Sequence, residues 1–481
     1  MKPIALKRRG LGGLFRSGDI NMLEGPLFGK VFAFVLPLMI ANLLQVCYSA
    51  ADMIVVGLSG VDGAIGAIGT TTALINLVLN IFTGFGVGTG VVVARNIGRG
   101  DREATERSVH TSLLVGVCAG LLCMVIGLAV SRPVLHAMGD QGHILDLATL
   151  YTQIYFLGVP FMAAANFMIA ILRAKGDTRT PLYILTFTGL LNVGLNLLFV
   201  LAFDMSVDGV AAATSISNAA SAVLLAIRLT NEQSWCRLSF KRLRFHREEL
   251  RDILRDGLPA AVQGALFSLS NMLIQSSIIG LNNATCPGGS DIIDGNAAGS
   301  SIENFIYTAT NAVCQAAVTF TSQHYGARKF RRIGLVMRTC YLVTGIISVV
   351  GAALIIALRY PLIGLYVSSD MAVEAALART YTLIGPYFTL AFMEVGSGVL
   401  RGLARSMLST TVTLVGCCLL RVVWVWTVFR IWPSLEIIYL SYPISWTVTA
   451  VAHFLCSMHV RRKCILRQEA EDAANAAAAV Q

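Results

Sequence analysis

VFAFVLPLMIANLLQVCYSAADMIVVG, residues 31–57, is apolar for about twenty residues, long enough to cross a bilayer as a helix. Within it stand Pro37, Asn42, Gln45 and a single carboxylate, Asp52. A charge in hydrocarbon is costly, so such a group usually faces a cavity or a partner and marks a functional position. The structural alternative is a carboxylate at the outer interface, reaching water beside Gly57 and Asp62. Polar residues later in the chain that can share its site favour the functional reading.

The rest of the chain repeats this pattern. Of its 481 residues, 55% are hydrophobic and only 13% charged, with a mean hydropathy of +0.69; an ordinary soluble domain carries about 25% charged residues. Apolar runs of about twenty residues recur along almost the whole length, which predicts an all-α polytopic membrane protein. A β-barrel would show short alternating segments instead.

The formal charge of +10 is explained by position. Seven clusters, at 2–30, 95–107, 173–179, 228–255, 328–338, 401–405 and 461–467, hold 32 of the 37 Lys and Arg residues. They fall at alternate helix ends, while the loops near 58–63, 203–209 and 282–299 have none. This positive-inside pattern places both termini in the cytoplasm and implies no nucleic-acid partner. Most of the eleven cysteines lie in apolar runs, with Cys286 in an outer loop. Without CxxC or Cys/His metal spacing they read as small buried side chains. The basic N-terminus has no apolar core before residue 31 and is not expected to be a cleaved signal peptide.

Twelve spans are predicted, at about 31–57, 64–94, 108–130, 147–172, 181–202, 208–229, 256–280, 296–323, 336–357, 378–400, 407–430 and 435–458. The chain divides into a cytoplasmic tail (1–27), an N-lobe of six helices (28–230), a linker (231–255), a C-lobe of six helices (256–460) and a second tail (461–481). The linker predicts an amphipathic helix lying against the membrane, and the Ala/Glu-rich second tail is expected to be loosely ordered.

The halves resemble each other. Gly98 and Gly326 are 228 residues apart, and the same offset aligns Pro133 with Pro361 and Leu172-Arg173 with Leu400-Arg401. Leu36-Pro37 opens the first half as Leu258-Pro259 opens the second. With six spans per half, both enter from one side, so the repeat is parallel, with its pseudo-twofold axis along the membrane normal. A central cavity that alternates access by rocking of the lobes is expected from such a plan.

AADMIVVG (50–57), NIGRGDREAT (96–105), ILRAKGDTRTPL (171–182), LLNVGLNLLFV (190–200), GVAAATSIS (209–217) and VLRGLARS (399–406) resemble the multidrug and toxic compound extrusion (MATE) family over about residues 28–460. The resemblance implies twelve helices in two lobes and export of organic compounds by cation antiport. It carries the family's amino-terminal cation site onto Asp52, Asn192, Asn196 and Thr214. Asn192 and Asn196 are four apart, hence on one helix face. Asn196 stands where an Asp is commoner, which leaves Asp52 as the only carboxylate of the site. Such a site suits Na⁺ or a proton on Asp52, and proton coupling is favoured, since a lone buried carboxylate is one that a proton can neutralise. No cofactor is expected.

In the C-lobe, acids of the sodium-linked branch fall on Phe267 and Leu390, so a sodium site of that kind is not expected. Glu394 and Glu303 are the candidates for a cationic substrate or a second cation, with Gln263, Tyr48 and Met393 as further cavity residues. The bland alternatives are bridges to Asn304, Gln263 or Arg401, and ordinary packing. The reading is an inner-membrane multidrug efflux antiporter of small, mostly cationic organic compounds, acting as a monomer. The alternative is a flippase of lipid-linked cell-envelope precursors, which needs a cationic cavity; the membrane-embedded charges that stand out here are acidic. An intramembrane enzyme would need HExxH or GxSxG on a span, and neither occurs.

Overall fold

A computed structural model describes residues 19–57, 61, 64–137, 142–285 and 289–480. The expectations for the tail before residue 19, for Cys286 and for most of the 58–63 loop lie outside these residues. Among the described residues twelve long helical segments follow one another: α1 (Leu27–Gly57), α2 (Ala64–Arg99), α3 (Arg102–Ala137), α4 (Gly142–Lys175), α5 (Arg179–Ala202), α6 (Val207–Thr230), α7 (Arg247–Thr285), α8 (Asp291–Gly326), α9 (Phe330–Ala357), α10 (Asp370–Gly402), α11 (Ser406–Ile431) and α12 (Leu435–Val480). Ten are long and apolar enough to span a membrane on those grounds alone; α8 and α12 are the more polar two. All twelve expected spans are present, several extending beyond the apolar run at the basic end.

The two halves pack alike. In the first, α4 packs on α2, α3 and α6; in the second, α10 packs on α8, α9 and α12. The first helix of each half is shared. α1 lies on α5 of its own half and on α8 of the other, and α7 lies on α11 and on α2. Accordingly Val31, Phe34, Val35 and Leu38 of α1 are buried in one cluster with Ala312, Ala316 and Phe320 of α8 and Val399 of α10. Phe34 meets Phe320 edge-on at 5.5 Å.

At the basic end the halves touch backbone to backbone. A Cβ on Gly88 would stand 2.6 Å from the Gly257 nitrogen, and one on Gly326 would stand 2.0 Å from the Arg95 carbonyl oxygen. Only glycine permits these approaches. Arg95 pairs there with Asp252 and, at 3.7 Å, with Asp256, while Arg107 reaches Glu249 at 2.7 Å. The Asn80 amide bonds Ser268 at 3.1 Å, carrying the α2–α7 contact towards mid-membrane.

Two expectations are corrected at this end. Residues 231–246 form no amphipathic helix. They run irregularly, with one short turn at Phe240–Arg242. Cys236 and Leu238 are buried against α4 and α6, and Ser239 N–H bonds His110. The helical part of the linker, from Arg247, is the start of α7. Nor is the second tail loose: α12 continues to Val480. Alanine-rich sequence favours helix, and Arg331 pairs with Glu469 at 2.7 Å, Arg467 with Glu471 at 3.1 Å.

A charge cluster ties the chain's beginning to this end. Lys175 pairs with Asp19 at 2.9 Å and with Glu232 at 2.8 Å. Burial works against the Glu232 charge, but Lys175 and Arg228 outweigh it and hold the carboxyl below its usual range. Arg332 donates to the Leu23 and Gly25 carbonyls at 2.8 Å each, so residues 19–25 span both halves.

The glycine contact makes a prediction. Gly88→Leu wedges α2 from α7 and favours the state in which the basic end is open. A cysteine is placed at buried Ala260, in a background without other reactive cysteines. Adding Gly88→Leu should increase its labelling by a water-soluble maleimide, whereas with Gly88 intact it stays protected. Equal labelling in both would refute the wedge.

Candidate functional site

α1 carries Asp52 towards the end of the bundle away from the basic clusters, 25 residues or about 37 Å of helix from its start at Leu27. There α5 and α6 meet it. Asn196 donates from Nδ2 to Asp52 Oδ1 at 2.5 Å and to Asn192 Oδ1 at 3.4 Å. Asn192 Nδ2 in turn donates to Thr214 Oγ1 at 3.3 Å. The amide nitrogen of Asn196 must face the carboxylate, because only it can donate to an anion. Asn192 and Asn196 are buried, and Asn196 Oδ1 finds no partner among the described residues. A π-turn, Leu198–Ala202, begins two residues after Asn196, an irregularity frequent at functional positions. The sequence-derived quartet therefore comes together as one hydrogen-bonded chain across three helices. Tyr151 and Tyr155 lie within electrostatic range of Asp52.

The other candidates do not join it. Glu303 is not a free carboxylate: Arg379 pairs with it at 2.6 Å and also donates to Asn296 Oδ1 at 2.7 Å. Its partner is thus none of Asn304, Gln263 or Arg401. Gln263 is buried and accepts from Thr410 at 3.3 Å, joining α7 to α11. Tyr48 packs against Gly189 and donates to the Thr186 carbonyl at 3.3 Å, closing α1 on α5. Met393 is fully buried with its sulfur 3.3 Å from Cys417 Sγ, so it is core and lines no cavity. Glu394 alone of these acids has no basic partner in contact among the described residues. It is half-buried, hydrogen-bonded to Cys314, and feels Arg401 only at a distance. Arg173 reaches across the interface to Gln315 of α8. Asp101 and Asp177 accept the Ala104 and Thr180 N–H groups at 2.9 and 3.0 Å, as capping residues should.

The reading that the membrane-embedded charges that stand out are acidic is incomplete. Arg379 and Arg421 are both buried, Arg421 completely. Arg421 lies 5.2 Å over the ring of Phe267, which packs against the buried cluster that holds Leu390. A signal for both was present. They belong to the five basic residues outside the seven clusters, with Arg132, Arg359 and Arg430.

A twofold-repeated bundle of spanning helices, with a polar chain around one carboxylate, defines the architecture of a secondary transporter. The MatE family model matches residues 37–198 and again 259–427, once in each half, and the chain belongs to the MatE family. Multidrug export protein MepA of Staphylococcus aureus (strain NCTC 8325 / PS 47) is 24% identical over 353 residues, covering 73% of this chain and 76% of that protein. Probable multidrug resistance protein YoeA of Bacillus subtilis (strain 168) is 24% identical over 390 residues, covering 79% and 82%. Among solved structures, an outward-facing conformation of a multidrug resistance MATE family transporter of the MOP superfamily superposes with a TM-score of 0.85 at 21% identity, over 93% of this chain and 99% of that one. A MATE complex with MaL6 gives 0.86 at 21% identity, over the same shares. The fold is twelve transmembrane helices in two six-helix lobes, and the chain is no enzyme.

The Glu303–Arg379 pair can be tested directly. Removing one partner of a buried pair leaves an uncompensated charge and costs about 3–5 kcal/mol. Glu303→Gln should therefore lower the thermal unfolding temperature of the purified protein markedly. An unchanged melting profile would return Glu303 to the list of binding candidates.

Proposed function

We propose that this protein exports small, mostly cationic organic compounds across the plasma membrane in exchange for H⁺ or Na⁺, by alternating access. The observation that carries the reading is the Asp52–Asn196–Asn192–Thr214 chain, in a member of the MatE family. That MepA is a multidrug export protein supports the class of cargo. Residues 28–230 and 256–460 act as the two lobes, joined by 231–255, with both termini in the cytoplasm; the basic clusters support this orientation. The protein works as a monomer.

Asp52, Asn192, Asn196 and Thr214 form the coupling site. With Asp52 charged, Asn196 gives it an N–H and leaves its own Oδ1 unpartnered. A proton on Asp52 reverses this polarity: the carboxyl becomes a donor, and the amide can turn its oxygen to accept. Each state of Asp52 thus prefers a different arrangement of α1 against α5. Such a two-state element is what a coupling ion needs to bias. One carboxylate and a free amide oxygen also offer ligands to Na⁺, but H⁺ is favoured because a single proton satisfies both groups. One charge moving through 100 mV supplies about 2.3 kcal/mol for the cycle.

Ethidium export from proteoliposomes, under an imposed pH gradient or an imposed Na⁺ gradient, tests this. The pH gradient should drive export, and Asp52→Asn, which keeps the shape but cannot titrate, should reduce it to the protein-free rate. Export driven by Na⁺ alone would reassign the coupling ion. Undiminished export by the variant would remove Asp52 from the mechanism.

A further inference from the structure

Arg421 sits in α11 with no exposed surface. Its Nε bonds Ser445 Oγ at 3.1 Å and its Nη1 bonds Asn271 Oδ1 at 2.9 Å. Both acceptors are neutral. The guanidinium faces are covered by Tyr442 at 4.2 Å and Phe267 at 5.2 Å. Nη2 has no partner among the described residues. Two further buried donors in the same aromatic cluster, Trp446 Nε1 and Tyr387 Oη, are equally unpartnered there. Trp446 contacts Tyr387 at 5.8 Å and Tyr442 at 5.6 Å between ring centres. The Trp446 ring lies 6.0 Å from the Arg421 guanidinium carbon, with Tyr387 packed on Trp446. Among the described residues Arg421 contacts no carboxylate, and this surplus of donors is one that an acceptor relieves, an anionic one most.

The repeat places this surplus where the first half has its polar chain. Thr214 and Tyr442 are 228 residues apart, the offset set by Gly98 and Gly326. Asn192 and Arg421 are 229 apart; the extra residue is absorbed by the π-turn Leu414–Leu419 of α11, which precedes Arg421. In the first helices, Pro37 and Pro259 set an offset of 222, which carries Asp52 onto buried Ile274. So the position of the carboxylate is apolar in the second half, and the position of an amide is a guanidinium. The Asn192–Thr214 contact of α5 with α6 becomes the Arg421–Tyr442 contact of α11 with α12.

We propose that Arg421, with Trp446 and Tyr387, forms a receptor in the second half for the carboxylate of an aromatic acid. The end of the guanidinium offers Nη1 and Nη2 side by side, the fork that a carboxylate matches with two bonds. Asn271, half-buried on α7, holds the Nη1 position with a neutral oxygen that an anionic one displaces. Phe267, only half-buried on α7, supplies a ring for the aromatic body of the ligand. This inference deepens the export reading by adding acids to the cargo, and rests on it for its role in transport.

The test is equilibrium dialysis of the full-length protein in detergent micelles against 2-naphthoate, neutral 2-naphthamide and cationic 2-naphthylmethylammonium, with protein-free micelles as background. Wild type should prefer the carboxylate to the amide by roughly 30-fold, as expected for a desolvated charge pair. Arg421→Gln should abolish that preference. Asn271→Asp should abolish it too, by giving Arg421 an internal carboxylate, and it guards against a folding defect because it adds a pair instead of removing one. Binding of the naphthylmethylammonium ion should persist in Asn271→Asp. Equal or absent binding of naphthoate and naphthamide by wild type would overturn the proposal, as would full naphthoate affinity in Asn271→Asp. These readings need no ion gradient, so they stand apart from a failure of ethidium export.

Discussion

Without water in the hydrocarbon region, every buried charge must be answered by another part of the protein. That constraint organises the second half as much as the first. Glu303 and Arg379 answer each other across α8 and α10, with Asn296 and Tyr439 completing the shell. Among the described residues Asp52 is answered by an amide alone. Arg421 is answered by neutral oxygens and ring faces. The first of these is a closed arrangement. The other two are open, because a neutral partner stabilises a charge less than an opposite charge does. Fully paired charge holds helices together; underpaired charge is available for a ligand.

The path from sequence to site was short where the chemistry was local. Asn192 and Asn196 share a face because they are four apart, and Asp52 stands out because its span holds no other acid. The apolar runs and the internal repeat make the fold legible, and it is the resemblance to the MATE family that singles out Asn192, Asn196 and Thr214 as companions of Asp52. What escaped lay in long-range pairing. Arg379 is 76 residues from Glu303, and no periodicity announces such a partner. Arg421 escapes for another reason: the clustering of basic residues at helix ends draws attention away from the few that fall inside spans. Met393 looked suited to a cavity by type, yet which way a side chain faces in an apolar helix is decided by the neighbouring helices.

The misread segments outside the membrane have a common physical cause. Composition alone marked 231–255 and 461–481 as surface-lying or loose. Yet Cys236 and Leu238 found a hydrophobic recess under α4 and α6, and Glu469 found Arg331. Short-range polarity says that a segment can be solvated, not that it has nowhere to dock. The glycine contacts behave similarly. Gly88 and Gly326 look ordinary among 44 glycines until the opposing backbone is in place.

The length of α12 has a mechanical consequence. Its 46 residues make a rod of about 69 Å, more than twice the hydrocarbon thickness of about 30 Å. Beyond residue 458 about 33 Å of it projects past the basic end. Arg331 fastens this projection to α9 of the same half, so it moves as one piece with that half. A tilt of about 10° would sweep its tip through about 6 Å. The rod is a pointer: it converts an angular change buried in the bilayer into a displacement in water, where a probe can be attached without touching the transport machinery.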